Sequence, residues 1–437
     1  MNYVAHLGGV MGPSKEMNSP HAESTGQELY PRKRVLLGAY ACEPGVGSEG
    51  GVGWNWTRQI ALRNDCTLIT RKNNVEEIER AAKAEGLDSL TVIGYDLPVW
   101  MRFWKRKSRG ALVYYYLWQV GLALVARRLD RQRNFDLVQH ITFVTSWMPS
   151  GLAFVDKPFV WGPVGQHPRI PRRFLHNASL KTRLIESVKA GIKTIFLGLD
   201  PLLAFTMRRA NRILSIGSEF ECKVDFPMGS KVERMPAVGV EPMIEGRKIG
   251  TRVLFSGRLV ELKGPELALE AFALAHTNHK SATLTFLGDG PLKSQLEQRA
   301  VELGVQDAVC FPGMLPHEQA LDLMATADVF LFPSFEGAGM VVPEAMAAGA
   351  VVLCLDFGGP GDMVAGERGI AAELGDTKQQ TCANLADGLN RLLGSAVLRD
   401  ELRLIAKQWV ESEMLWHKKG ERMQQIHSDV MQEVSRK

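Results

Sequence analysis

Ser334-Phe335-Glu336-Gly337-Ala338-Gly339-Met340-Val341-Val342-Pro343-Glu344-Ala345-Met346-Ala347-Ala348-Gly349 sets two glutamates eight positions apart with glycines between them. The run before it, Ala327-Asp328-Val329-Phe330-Leu331-Phe332-Pro333, is apolar, short and closed by proline, as a buried strand is. The run after it is helical in pattern, with Pro343 in the first turn and Gly349 at the end. Glu336 is therefore expected on a strand-to-helix loop and Glu344 in a helix's first turn. Ligands of open α/β sheets collect at the carboxyl ends of strands, and helix amino termini favour phosphate. A carboxylate there accepts hydrogen bonds from sugar or ribose hydroxyls, or serves only the helix dipole.

The same alternation extends outward in both directions. Strand patterns fall at Arg34–Tyr40, Cys66–Thr70, Asp136–His140, Pro158–Trp161 and Arg212–Ile216. A second series falls at Thr251–Ser256, Ala282–Leu287, Ala308–Phe311, Val329–Phe332 and Val351–Asp356. Strands separated by helical patterns predict parallel sheets. A polar, glycine-containing stretch, Pro242–Gly250, divides the series. The expected organisation is a disordered extension over 1–32, a first α/β domain over 33–243, a second over 250–415 and a closing segment, 416–437, helical in pattern over Lys418–Val434.

Composition agrees with this plan. A chain of 437 residues suits two domains of roughly 200 residues each. It is 45% hydrophobic and 23% charged, ordinary for a globular protein. A net charge of only +4 argues against a dedicated nucleic-acid binder. The six cysteines are scattered without a C-x-x-C pair, so they are expected as reduced packing residues in a cytoplasmic protein, with no zinc site. The first 30 or so residues lack the basic start and apolar core of a secretory signal. No stretch reaches the ~20 apolar residues of a membrane span. The nearest, Ala111–Ala126, is interrupted by Gln119 and is expected as a buried helix.

Further motifs accompany the two glutamates: Ser256-Gly257-Arg258-Leu259 through Lys263-Gly264, then Gly288-Asp289-Gly290-Pro291, Phe311-Pro312-Gly313 and Gly358-Gly359-Pro360. Gly47-Ser48-Glu49, Trp161–Gly165 and Val238–Glu241 stand in the first half. In order and spacing these resemble the E-x(7)-E retaining glycosyltransferases of family 4, over about Arg34 to Ile426. The resemblance implies the GT-B architecture, two doubly wound Rossmann-like domains facing a cleft, the first binding acceptor and the second binding nucleotide sugar, with the last helix crossing back. It implies that Glu344 holds the ribose, that Glu336 contacts the donor sugar, and that the amides of Gly339, Met340 and Val341 line sugar and phosphates. That family commonly has an aromatic residue where Ala338 stands, which leaves donor identity open.

Transfer from a nucleotide sugar expels a diphosphate, whose charge is neutralised by a metal or by Arg, Lys and helix amides. No D-x-D-like carboxylate cluster is evident, so no metal and no cofactor is expected. Arg258 and Lys263, beside Gly257 and Gly264, are the expected clamp. His140, at the end of its strand pattern, either faces the donor sugar, as the resemblance suggests, or is a satisfied core residue. Gly45-Val46-Gly47-Ser48-Glu49-Gly50 formally fits G-x-G-x-x-G, yet Arg71 and Lys72 occupy the place of the expected ribose-binding acid. In a glycosyltransferase the amides of this loop are expected to approach the donor diphosphate or the acceptor, and Gly47 is assigned to the donor. Trp100–Arg109 interleaves five basic residues with aromatics and reads either as a solvated face or as a contact for an anionic membrane.

The combined expectation is a retaining, metal-independent hexosyltransferase using a UDP- or GDP-sugar and a glycan or polyprenyl-linked acceptor. It would serve exopolysaccharide, capsule or O-antigen synthesis in the cytoplasm or on the inner face of its membrane. The alternative is an NAD(P)-dependent oxidoreductase built on the Gly45–Gly50 loop.

Overall fold

Two all-parallel sheets organise the chain, each built outward from a central strand. The computed structural model describes residues 31–101, 110–165, 171, 174, 191, 198–217 and 231–436. Residues 1–30 of the expected extension and most of Trp100–Arg109 lie outside these residues, whereas Arg32 is tied to the first lobe through Asp65 at 3.2 Å.

The first lobe runs β1 (Arg34–Ala39), α1 (Ser48–Ala61), β2 (Asp65–Thr70), α2 (Val75–Ala84), β3 (Leu90–Gly94), α3 (Ala111–Arg133), β4 (Leu137–Thr142), β5 (Phe159–Val164), α4 (Pro201–Arg209), β6 (Arg212–Ser215) and β7 (Val232–Arg234). The second runs β8 (Arg252–Ser256), α5 (Pro265–His276), β9 (Thr283–Leu287), α6 (Lys293–Glu302), β10 (Val309–Gly313), α7 (His317–Thr326), β11 (Val329–Phe332), α8 (Val341–Ala347), β12 (Val351–Leu355), α9 (Gly358–Val364), β13 (Gly369–Ala372), α10 (Lys378–Gly394) and α11 (Ala396–Trp409). A final helix, α12 (Trp416–Ser435), follows.

Strand order is β3-β2-β1-β4-β5-β6-β7 in one sheet and β10-β9-β8-β11-β12-β13 in the other. Each reverses direction once, between β1 and β4 and between β8 and β11. Those reversals leave crevices at the carboxyl ends, where doubly wound sheets hold ligands. The expected α/β class with two Rossmann-like lobes facing a cleft is the fold observed. Central strands β4, β5, β11 and β12 are buried along their whole length; β5, β11 and β12 accordingly read as apolar runs, while β4 buries the polar Gln139, His140 and Thr142.

Helix α12 packs on the first lobe although the second lobe precedes it. Residues 236–240 run beside 414–416: Val240 N donates to the Met414 carbonyl at 2.9 Å and Trp416 N to the Val240 carbonyl at 3.1 Å. Trp416 meets Trp56 of α1 edge to face at 5.6 Å. Asn64 Nδ2 donates to Gln424 at 2.7 Å, and His427 Nε2 pairs with Gln139 at 2.6 Å.

Three strands were not anticipated. β3 and β13 are largely half-exposed, and β7 has three residues, so none carries a buried apolar run. The strand expected to end at His140 continues to Thr142. Helix α1 begins at Ser48 and takes Gly50, Gly51 and Gly53 into its first turns; a Cβ at Gly51 or Gly53 would overlap the carbonyls of Val46 or Ala41. The Ala111–Ala126 run does form a helix, yet it is not buried all round: Leu112, Val113, Val120 and Leu124 are exposed. Of the described cysteines, Cys310 is exposed and Cys42, Cys66, Cys354 and Cys382 are buried and reduced.

Candidate functional site

The glycine motifs of the second lobe meet at the β8/β11 crevice by direct backbone approach. Gly288 lies against Gly257: Gly257 N donates to the Leu287 carbonyl at 2.9 Å, and a Cβ at Gly288 would overlap the Gly257 carbonyl. Gly290 is packed on the Leu259 carbonyl in the same way, and Gly288 N donates to the Gly313 carbonyl at 3.0 Å. Gly264, at φ 66°, abuts the Pro333 carbonyl, and Gly359 abuts the Gly337 carbonyl. Gly339, at φ 54°, leans on Pro360. Five loops separated by up to a hundred residues thus share one crevice, and glycine is what lets them close.

Side chains complete it. Lys263 Nζ donates to Glu336 Oε2 at 2.6 Å, and both side chains are largely buried. The ammonium also lies 5.2 Å from the centre of the Phe332 ring. Phe335 N donates to the Leu262 carbonyl at 2.9 Å, so the Glu336 loop is stitched to the Lys263 loop. Arg258 stands exposed just past β8, next to Gly257, and forms no ion pair among the described residues. Glu344 is half-buried in the first turn of α8, which opens at Val341 with Met340 as its cap position. Expectation had Lys263 and Glu336 acting on separate parts of a ligand; the structure pairs them with each other. Arg258 is not part of that pair.

The β1/β4 crevice of the first lobe is built differently. His140 is buried; Nδ1 meets Ser150 Oγ at 3.1 Å and Nε2 meets the Phe143 carbonyl at 3.2 Å. Burial pushes its pKa down to about 4, so it is neutral near pH 7. Glu49, in the first turn of α1, accepts from Val144 N at 3.0 Å, and Tyr115 Oη accepts from Phe143 N at 3.1 Å. Desolvation raises the Glu49 carboxyl to about 7, the Val144 amide working against it. Thr142 Oγ1 accepts from Ala41 N at 3.1 Å, joining the end of β4 to the loop after β1. Glu49, Tyr115, Thr142 and Ser150 were not foreseen as site residues; only Glu49 lay inside a noted motif.

Gly47 is exposed, at φ −67°, and a Cβ there would meet nothing. Arg71, which stands where a dinucleotide site needs an acid, pairs with Glu43 at 3.1 Å and lies over the Tyr40 ring at 4.9 Å. Among the described residues no group of three or more His, Cys, Asp or Glu side chains is placed to hold a metal ion.

Residues 247–409, nearly all of the second lobe, match the family described as glycosyl transferases group 1. A GDP-mannose-dependent monoacylated α-(1-6)-phosphatidylinositol monomannoside mannosyltransferase from Corynebacterium glutamicum is 27% identical over 236 residues, 51% of this chain and 59% of that protein. The chain spans less than two thirds of the length of the curated relatives it matches. Sucrose-phosphate synthase from Thermosynechococcus elongatus superposes with a TM-score of 0.59 at 16% identity, covering 91% of this chain and 99% of that one. The Anabaena protein HepE, solved with UDP, gives 0.57 at 15% identity, covering 91% and 100%. The fold is therefore GT-B, and the second lobe is what matches the group 1 glycosyltransferase family. Nothing in these likenesses supports the oxidoreductase alternative.

Proposed function

We propose that the chain transfers a hexose from a nucleotide-diphosphate sugar to a glycan or polyprenyl-linked acceptor with retention at the anomeric carbon. The observation that carries this reading is the Lys263–Glu336 pair at 2.6 Å, set in a crevice of converging glycine loops within the group 1 domain.

The physical argument starts from charge. As the glycosidic bond to the diphosphate breaks, negative charge grows on the leaving group and positive charge on the sugar. A diphosphate entering beside Gly257 competes with Glu336 for the Lys263 ammonium, and Arg258 supplies a second, planar donor. Glu336, released from Lys263, is then free to accept from the sugar hydroxyls. Glu344 accepts from the ribose, and the Gly339, Met340 and Val341 amides lie along the sugar and phosphates. Gly47 approaches the diphosphate from the first lobe. His140, neutral and held by Ser150, presents no charge to the sugar and acts by packing and orientation. With two cations serving the leaving group, no divalent ion is needed and activity survives EDTA. The first lobe then binds the acceptor.

The Corynebacterium relative uses GDP-mannose, so GDP- and UDP-sugars are both candidates here. A role in surface polysaccharide synthesis on the cytoplasmic side of a membrane, with Trp100–Arg109 contributing cations, extends the same reading. A thermal-shift screen of UDP- and GDP-sugars tests it, because a ligand that binds only the folded state raises the melting temperature. Stabilisation by a nucleotide sugar that vanishes in Lys263→Ala is the expected result. Stabilisation by NAD instead would overturn it.

A further inference from the structure

The long helix of the first lobe carries a face that the fold does not use. Its inner side buries Tyr114, Tyr115, Trp118, Leu122 and Ala126. Its outer side presents Val113, Val120 and Leu124 at the i, i+7, i+11 spacing of a single stripe, 58%, 45% and 73% exposed, while half-buried Leu117 between them packs on the core. The stripe continues along the same line into Arg127, Arg128 and Arg131, all exposed and forming no ion pair among the described residues.

A second helix extends this surface. A cavity of about 250 Å³ opens between α3 and α4, lined by Val120, Ala123, Pro149, Phe154 and Leu202. Phe205, 40% exposed, stacks on Phe154 at 4.7 Å on its rim, and Arg208 lies exposed one turn further on. Of the nearby carboxylates, Asp156 pairs with Arg209 at 3.3 Å, Asp130 lies 3.8 Å from Lys157, and Asp200 is buried as the cap of α4, accepting from Tyr116 at 3.2 Å. Among the described residues the four exposed arginines have no carboxylate partner and stand beside apolar surface.

We propose that this α3–α4 face docks on an anionic lipid leaflet, the Val113–Leu124 stripe entering the acyl boundary, the arginines meeting headgroup phosphates and a lipid chain filling the cavity. An apolar stripe running into arginines matches the layering of a leaflet, hydrocarbon beneath phosphate. A contiguous apolar face of this kind marks an interaction site in a folded protein. The inference does not rest on the transfer reading, because nucleotide binding belongs to the other lobe, and it uses none of Arg102–Arg109.

Sedimentation of the full chain with phosphatidylglycerol-containing and pure phosphatidylcholine vesicles tests it. The wild type is expected to pellet with the anionic vesicles. Val120→Glu/Leu124→Glu should lower the partition coefficient at least tenfold. Replacing Arg127, Arg128 and Arg131 by Gln should lower it about a hundredfold, on the scale of three interfacial cations. All the substituted side chains are exposed, and an unchanged melting temperature confirms that each variant folds. A nucleotide sugar that shifts the wild-type melting temperature should shift that of every variant equally, which separates this proposal from the catalytic one. The proposal is overturned if the wild type does not pellet or if the α3 variants pellet like the wild type. It is equally overturned if only substitution of Arg102, Lys105, Arg106 and Lys107 releases the protein, or if the face proves to be a dimer contact by sedimentation velocity.

Discussion

The two crevices of this molecule sit at equivalent points of two similar sheets and are made of different material. At β8/β11 the loops touch backbone to backbone, through Gly257, Gly264, Gly288, Gly290 and Gly359, with one ion pair at the centre. At β1/β4 the loops are held by side chains: Glu49 on Val144, Tyr115 on Phe143, Thr142 on Ala41 and Ser150 on His140. A crevice closed by backbone contact excludes every residue with a Cβ at the contact. A crevice closed by side-chain hydrogen bonds tolerates several donor and acceptor types. The first kind is suited to a fixed ligand part and the second to a ligand that differs between proteins.

The largest effect expected is at the ion pair. Lys263→Ala should reduce turnover of the nucleotide sugar by about 10²-fold or more, the scale of losing one charge partner of a transition state, in a protein that still folds although Glu336 loses its partner. Glu336→Gln should leave an unpaired ammonium and lower turnover while retaining diphosphate affinity. Nearly normal steady-state rates in Lys263→Ala would remove the second lobe's crevice from the chemistry.

Next come the glycines. Gly264→Ala and Gly288→Ala combine a positive φ with overlap onto a carbonyl, and each should cost about 1–3 kcal/mol in urea denaturation. Gly47→Ala has ordinary dihedrals and open space, so its stability should stay within about 0.5 kcal/mol. If Gly47→Ala nonetheless weakens donor binding, its role is close approach to ligand and not closure of the fold.

Glu49→Ala, which strips the acceptor from a buried amide, should cost about 1–3 kcal/mol, and Glu49→Gln less. The pH response separates them. A carboxyl raised from 4.5 to about 7 in the folded state adds stability that is fully present below pH 4.5 and lost as pH rises through about 7. Subtracting the Glu49→Gln melting curve from the wild-type curve should reveal that loss between pH 5 and 7. A flat difference would mean that Glu49 is ionised throughout.

The last effect concerns the junction of α12 with the first lobe. Lys419 is buried against Trp56 and donates to the Pro236 carbonyl at 2.8 Å, and desolvation lowers its pKa to about 7. A lowered lysine costs stability at acid pH, and the cost fades as pH rises from about 7 toward 10.5. The difference between wild type and Lys419→Met should therefore favour the wild type progressively over that range.

The same contrast explains what was legible in the sequence. The second lobe could be read because its site imposes glycine at many backbone contacts, and glycine in series is a visible pattern. The pairing of Lys263 with Glu336 could not be read, since it depends on how loops after β8 and β11 approach one another. In the first lobe His140 was noticed but placed at a strand end, because the polar Thr142 hid two further residues of β4. Tyr115 and Ser150 are ordinary residues whose importance lies in their partners. The Ala111–Ala126 run misled in the opposite sense: composition said buried, whereas the helix has only one inward face, and hydrophobicity alone does not say which side a stripe occupies.

Helix α12 has a consequence for the order in which this protein acquires its structure. Trp56, Asn64 and Gln139 precede the second lobe in the chain, yet their partners Trp416, Gln424 and His427 are synthesised after it. Domains ordinarily fold as they emerge from the ribosome, the amino-terminal one first. Here the earlier lobe is exported from the tunnel with a missing wall and waits for the second lobe to be translated before its own surface is sealed. Its exposed interval is set by the translation time of its neighbour, which makes the nascent first lobe a natural client for chaperones.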